Sequence, residues 1–169
     1  MKPILAFLLV ALAGCAGVPP PTRVPEYAPG RIHGYLAPAD IPDLAKVLPP
    51  PPARGSAAFA ADEEAYREAR ALKGTPRWDL ATRDANLDFP AADEVFSCAL
   101  DMPVSESATP HLHMLLRRVL VDALEATDKP KARYARKRPY MITGDPTCVP
   151  DREARMTAES YPSGHAAVG

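Results

Sequence analysis

The stretch "TPHLHMLLRRVLVDALEATD", residues 109–128, carries the strongest structural signal in the sequence. Thr109 is a favourable N-cap residue, and Pro110 is favourable at the first helical position. Behind them a broad apolar stripe recurs at helical spacing, formed by Leu112, Leu115, Leu116, Val119, Leu120, Ala123 and Leu124. The stretch therefore predicts an amphipathic helix that begins at Thr109–Pro110 and ends near Asp128, before Pro130.

Shorter helical patterns precede this helix. One begins after Ser56, has Ala65, Tyr66, Ala69 and Leu72 on one face, and ends at Gly74 and Pro76. A short helix follows Pro76, and another covers residues 91–100 with an expected inward face of Val95, Cys98 and Ala99. No alternating run long enough for a convincing strand and no internal repeat is visible. The predicted fold class is all-α.

The N-terminal third has a different composition from the rest. Twelve of the 21 prolines lie in the first 52 of the 169 residues. Residues 16 to about 30 resemble a semi-rigid tether, whereas residues 31–52 hold enough apolar groups to dock, with a short helical turn near 40–47. The formal net charge of -1 provides no strong field for nucleic acid, so no nucleic-acid partner is expected.

The first fifteen residues are typical of an export signal. Lys2 precedes the apolar run 4–12, which is too short to span a bilayer, and "LAGC" at 12–15 resembles the bacterial lipobox. We predict a lipoprotein-type signal peptide at 1–14, a lipid anchor on Cys15, a Pro-rich tether at 15–34 and a domain at 35–169. Ala16 favours a periplasmic protein tethered to the outer membrane. The alternative is a plain signal peptide with a chance cysteine.

The two other cysteines lie in the predicted domain. An exported protein is in an oxidising compartment, so the pair Cys98 and Cys148 is expected to form a disulfide. The alternative is two buried free thiols.

The stretch "KARYARKRP", residues 131–139, is strongly basic. Its five cations are Lys131, Arg133, Arg136, Lys137 and Arg138. Such a run is most often a solvated face, and it would also suit anionic lipid headgroups near a membrane.

A second stretch with chemical character is "PSGH", residues 162–165. Ser163 is a good N-cap, Gly164 permits close backbone approach, and a helix start with free N–H groups attracts anions. His165 at that entrance could give or take a proton. The alternative is an ordinary turn that caps a helix and carries a surface histidine.

Together these two stretches resemble a known family. Lys131 followed after six residues by Arg138–Pro139, and then "PSGH", resemble the first two of three signature motifs of the type 2 phosphatidic acid phosphatase superfamily. The stretches 35–52, 59–87, 96–100 and 160–165 are similar to bacterial class A non-specific acid phosphatases, so the resemblance extends from about Tyr35 to residue 169.

The resemblance implies a helical bundle that hydrolyses phosphate monoesters at acid pH through a phosphohistidine intermediate, without a metal or cofactor. It implies that Lys131 and Arg138 bind the phosphoryl oxygens, with Ser163 and the Gly164 N–H, and that His165 is the general acid. The planar fork of arginine and the point charge of lysine suit this task. Members of the family often form dimers, so a homodimer is a further expectation.

The family's third motif, Ser-Arg-x5-His-x3-Asp, would follow "PSGH" and supply the histidine nucleophile, and it is not found in the sequence. His33, His111 and His113 are expected to be surface or capping residues. The expectation is an N-terminal part of a phosphatase, inactive alone. The alternatives are a truncated lipoprotein that retains a phosphate-binding half-site, or a poorly folding product of a broken gene.

Overall fold

The elements of the chain are mostly helices, as seen in a computed structural model that describes residues 18–153 and 157–169. Within these residues the helices are α1 (Ala57–Ala71), α2 (Pro76–Asp84), α3 (Ala91–Leu100), α4 (Pro110–Ala126), α5 (Asp128–Tyr134), α6 (Pro139–Thr143), α7 (Pro150–Glu153) and α8 (Gly164–Val168). An antiparallel hairpin of β1 (Glu26–Ala28) and β2 (Arg31–Ile32) and a 3₁₀ turn at Leu44–Lys46 precede them. The all-α fold class is confirmed. The predicted signal peptide at 1–14 and the anchor residue Cys15 lie outside the described residues.

The helix starts follow the local capping rules. Ser56 accepts a hydrogen bond from the Phe59 N–H at 3.1 Å at the start of α1, and Thr75 accepts one from Trp78 at 3.4 Å at the start of α2. Thr109 precedes α4 as predicted, but its hydroxyl donates to the Pro103 carbonyl at 3.1 Å and does not cap the helix. The proline that follows Thr109 and Thr75 in each case fits the first turn, where its missing N–H needs no partner.

Helix α4, 17 residues long, is the longest helix of the described residues. Helix α8 lies along it, and β2 and α5 also contact it. The buried apolar residues around it are Ile32, Ala45, Ala92, Val104, Met114 and Leu120. The predicted stripe is only partly covered, since Leu115 and Val119 remain 45% and 47% exposed. No helix in the two described ranges is long and apolar enough to cross a membrane.

Residues 31–36, which we call the N-terminal strap, are fastened to α4 by two side chains. The Asp122 carboxylate accepts the backbone N–H groups of Tyr35 at 2.8 Å and of Leu36 at 3.2 Å. Arg118 donates to the Gly34 carbonyl, and its guanidinium lies 3.9 Å from the centre of the Tyr35 ring. A Cβ on Gly34 would overlap the Asp122 carboxylate, so only glycine fits there. Part of the stretch predicted as a tether, residues 26–34, thus lies against α4.

The predicted inward face of α3 is wrong at two positions. Ala92 and Asp93 are buried, whereas Cys98 and Ala99 are exposed. Asp93 faces α4 because His113 Nδ1 donates to its carboxylate at 2.9 Å. Cys98 is five residues further on, which turns it about 140° around the helix, away from that contact.

The predicted Cys98–Cys148 disulfide is also wrong, because both thiols are free. Cys98 lies on the exposed side of α3, and Cys148 is partly buried next to α2, where its carbonyl accepts from the Thr82 hydroxyl at 3.3 Å. An even number of cysteines therefore does not by itself imply that two of them face each other.

Candidate functional site

The two chemical motifs of the sequence meet in the structure through their backbones. The Arg138 N–H donates to the Ala158 carbonyl at 3.1 Å, and the Ser160 N–H donates to the Arg136 carbonyl at 2.7 Å. The Ser160 hydroxyl adds a bond to the same Arg136 carbonyl at 3.1 Å. These bonds place the strongly basic stretch next to the segment that leads into α8.

Lys131 lies on α5 with its side chain directed at the start of α8. Its Nζ donates to the Thr127 hydroxyl at 2.7 Å, and a Cβ on Gly164 would be 3.6 Å from Nζ. Burial lowers the pKa of Lys131 below its ordinary value, and the nearby charge of Arg138 lowers it further, while Asp128 and Glu159 act in the opposite direction. An anion that binds beside such a partly desolvated ammonium stabilises its charged form.

The start of α8 is built as the sequence predicted. Ser163 is the N-cap, and its hydroxyl accepts from the Ala166 N–H at 3.3 Å. Gly164 has a packing role that the sequence did not reveal, because a Cβ there would come within 2.8 Å of Leu124 Cδ2 on α4, and the leucine side chain would have to shift. The small residue brings the helix start down onto α4, beside the Lys131 ammonium.

Arg138, Ser163 and His165 line one open cavity of about 680 Å³. The orientation of the Arg138 guanidinium is restricted by a hydrogen bond from its Nε to the Thr157 carbonyl at 2.6 Å. The wall also contains further arginines, aromatic rings and two acids, namely Arg70, Arg77, Arg136, Tyr66, Trp78, Tyr140, Asp62 and Asp84. Three of the five groups predicted to bind the phosphoryl group or to donate a proton therefore line one cavity, while the Lys131 ammonium lies beside Gly164 at the start of α8.

His165 is exposed and lies between α8 and α2. Its Nε2 is 3.1 Å from the carbonyl oxygen of Ala85, the C-cap residue of α2. A carbonyl can only accept, so Nε2 carries a proton. This bond orients the ring and leaves Nδ1 as the nitrogen that can exchange a proton with a ligand.

Sequence reasoning missed the aromatic and arginine wall of the cavity. Arg70 stacks on Trp78 at 5.2 Å from the ring centre, and Arg136 is paired with Asp62 at 2.8 Å. These residues come from separate segments, and no local pattern links them. The basic stretch is thus not simply a solvated face, because Arg136 and Arg133 each have a partner, Arg133 donating to the Ala45 carbonyl at 3.0 Å.

His113 is a second miss. It was interpreted as a surface or capping residue, but it is 4% exposed and bonded to Asp93. Phe89 packs edge-on against its ring at 5.2 Å. The available signal was its spacing of seven residues from Leu120, which places it on the buried face of α4. His111 and His33 are exposed, as expected.

The fold and this cavity together define an all-α protein with a cationic cavity at the start of a short helix. No protein-family model matches the chain. It is 38% identical over 123 residues to an acid phosphatase of Zymomonas mobilis, covering 72% of this chain and 47% of that protein. It is 37% identical over 137 residues to a non-specific acid phosphatase of Providencia stuartii, covering 80% and 55%. A non-specific acid phosphatase of Salmonella typhimurium is 32% identical over 152 residues, covering 88% and 61%.

Over 71–88% of its own length, the chain is similar to bacterial acid phosphatases. The chain spans about half the length of the curated relatives it matches.

Proposed function

We propose that this chain carries the phosphate-binding and proton-donating groups of a phosphate monoester hydrolase. The observation that carries the proposal is the convergence of Arg138, Ser163 and His165 on one cavity, with the Lys131 ammonium beside Gly164. The acid phosphatase names of the relatives support the same reaction class.

The phosphoryl oxygens are bound by two different cations. Arg138 presents a planar guanidinium that can engage two oxygens, and its Nε bond to Thr157 limits its orientations. Lys131 contributes a point charge that is partly buried, so the approach of a phosphate relieves the electrostatic penalty that lowers its pKa. The Ser163 hydroxyl and the Gly164 N–H add hydrogen bonds to the same oxygens as charge develops during transfer.

His165 acts as the general acid. With Nε2–H donated to the Ala85 carbonyl, a second proton on Nδ1 makes an imidazolium, and this proton is transferred to the leaving alcohol oxygen as the P–O bond breaks.

The family resemblance further implies a histidine nucleophile that attacks phosphorus and forms a phosphohistidine, which water then cleaves to release phosphate. Within residues 18–153 and 157–169, His165 is the histidine that lines the cavity. This observation favours a second candidate function, which is binding of phosphate or a related oxyanion without turnover.

An assay with a chromogenic phosphate ester, paired with calorimetric titration of vanadate, separates the two functions. Turnover that is lost in His165→Ala but kept in the exposed-histidine control His111→Ala supports hydrolysis by this chain. Vanadate binding without turnover supports the binding function. If the protein shows neither heat of vanadate binding nor turnover, both functions are contradicted.

Anchoring of the protein in the periplasm through a lipid on Cys15 and formation of a homodimer are additional proposals. They are tested by labelling cells with a radioactive fatty acid and by sedimentation of the purified protein. Label that persists in Cys15→Ser contradicts the anchor, and a monomer at all concentrations contradicts the dimer.

A further inference from the structure

Thr127 lies at the junction between α4 and α5 and is completely buried. Its hydroxyl makes two short contacts, one with the Leu124 carbonyl at 2.7 Å and one with Lys131 Nζ at 2.7 Å. A hydroxyl has one proton to donate. The ammonium can only donate a hydrogen bond, and the carbonyl can only accept one. The proton therefore goes to Leu124, and a lone pair of the oxygen faces the ammonium of Lys131.

The backbone reinforces this arrangement. The Thr127 N–H donates to the Leu124 carbonyl at 3.0 Å, and the Lys131 N–H donates to the Thr127 carbonyl at 3.0 Å. The side chain of Leu124 is also the group against which Gly164 packs. Leu124, Thr127, Lys131 and Gly164 thus form one connected unit that links the end of α4 to the start of α8.

An ammonium on a four-carbon chain has many alternative positions. Asp128 and Glu159 are close enough to attract Lys131 electrostatically, and its partial burial disfavours the charged form. A buried hydroxyl that accepts one N–H offsets part of that penalty and selects one position, leaving two N–H groups for other acceptors.

We infer that Thr127 is a positioning residue that holds the Lys131 ammonium beside the start of α8 for contact with a bound phosphate. The inference rests on the proposed function, since it assumes that Lys131 binds the phosphoryl group. Thr127 itself does not contact the phosphate, because its hydroxyl is already shared between Leu124 and Lys131.

The test is calorimetric titration of inorganic phosphate into the 169-residue protein and its variants. Thr127→Val replaces the hydroxyl by a methyl group of similar volume, and we expect about tenfold weaker binding, because hydrogen bonds to charged groups are among the stronger ones. Thr127→Ser keeps the hydroxyl and should bind within about threefold of the original protein. Thr109→Val is the matched control, because it removes a threonine hydroxyl at the other end of α4 and should leave phosphate binding unchanged.

Two further measurements separate positioning from a merely structural role. In the Lys131→Met background, Thr127→Val should have no additional effect on phosphate affinity, since the two residues act through one interaction. The loss of phosphate binding at alkaline pH should move to lower pH in Thr127→Val and return in Thr127→Ser, because the hydroxyl stabilises the charged lysine. If Thr127→Val does not fold, Thr127→Ser against Thr127→Ala provides the same comparison, as these differ by the hydroxyl alone.

The outcomes distinguish the two claims. If the original protein binds no phosphate, the proposed function fails and the inference fails with it. If the original protein binds phosphate and Thr127→Val binds equally well, or if Thr127→Val weakens binding to the same extent without Lys131, the inference alone is overturned.

Discussion

Gly164 on α8 lies so close to Leu124 on α4 that a Cβ at residue 164 would come within 2.8 Å of Leu124 Cδ2. This contact lies between the helix that carries His165 and the helix that leads into Lys131. Glycine in "PSGH" therefore has a packing role, and the position of the candidate site depends on it.

Gly164→Ala is expected to weaken both the fold and the site. The added methyl group must displace Leu124 or lift α8, which costs about 1–3 kcal/mol in an overpacked contact. Urea unfolding should show this loss, and phosphate calorimetry should show weaker binding. Gly169→Ala is the control, because a Cβ there meets nothing within 4 Å. Unchanged stability and binding in Gly164→Ala would show that Leu124 accommodates the methyl group and that the site does not depend on this contact.

The N-terminal strap should depend on the pair Gly34 and Asp122. Gly34→Ala should lower the free energy of unfolding by about 2 kcal/mol or more, because the new Cβ and the Asp122 carboxylate cannot occupy the same space. Asp122→Ala should also destabilise, since two backbone N–H groups lose their acceptor. The double variant should be less destabilised than the sum of both, because removing the carboxylate removes the clash. Additive effects in urea unfolding would contradict this arrangement.

Lys131 should give the protein a characteristic alkaline pH dependence. Its pKa in the folded state is lowered from 10.5, so between the lowered value and 10.5 the unfolded chain binds more protons at this group than the folded chain. Stability relative to Lys131→Met should therefore rise as pH increases through that window. Urea unfolding at several pH values measures the difference, with the exposed Lys129→Met as control. If the free energy of unfolding of the original protein, relative to that of Lys131→Met, falls as pH increases, the folded structure stabilises the charged form of Lys131.

The buried pair of His113 and Asp93 should support the fold and not the site. Asp93→Ala leaves the imidazole buried without its acceptor, and we expect a loss of about 3 kcal/mol in unfolding free energy. His111→Ala should have little effect because His111 is exposed. Where Asp93→Ala remains folded, its phosphate affinity should match that of the original protein, and a large loss of affinity would place the pair in the site.

Local rules in the sequence were sufficient for most helix positions. Ser56, Thr75 and Pro110 mark helix starts in the structure because capping and proline geometry depend on nearby residues only. The predicted inward face of α3 was wrong at Cys98 because that face depends on the contact of Asp93 with His113, which lies twenty residues after Asp93 along the chain. Spacing cannot report such a contact.

The candidate site shows the same division. The residue types of the two motifs indicated phosphate binding and proton transfer, and the structure brings Arg138, Ser163 and His165 to one cavity. The sequence did not indicate that Trp78 lies on the cavity wall, that Arg136 of the basic stretch lies there too, or that Thr127 contacts Lys131. Their roles arise from three-dimensional proximity, and their residue types are common in any surface or core.

The central claim is that the basic stretch and the start of α8 form one phosphate site, and the most direct test is calorimetric titration of inorganic phosphate with Arg138→Ala and Arg133→Ala. Both variants remove one arginine from the same stretch, but Arg133 is directed to the Ala45 carbonyl and does not line the cavity. We predict that Arg138→Ala weakens phosphate binding at least about tenfold and that Arg133→Ala leaves it unchanged. Equal affinity in Arg138→Ala and the original protein, or equal losses in both variants, would contradict the account.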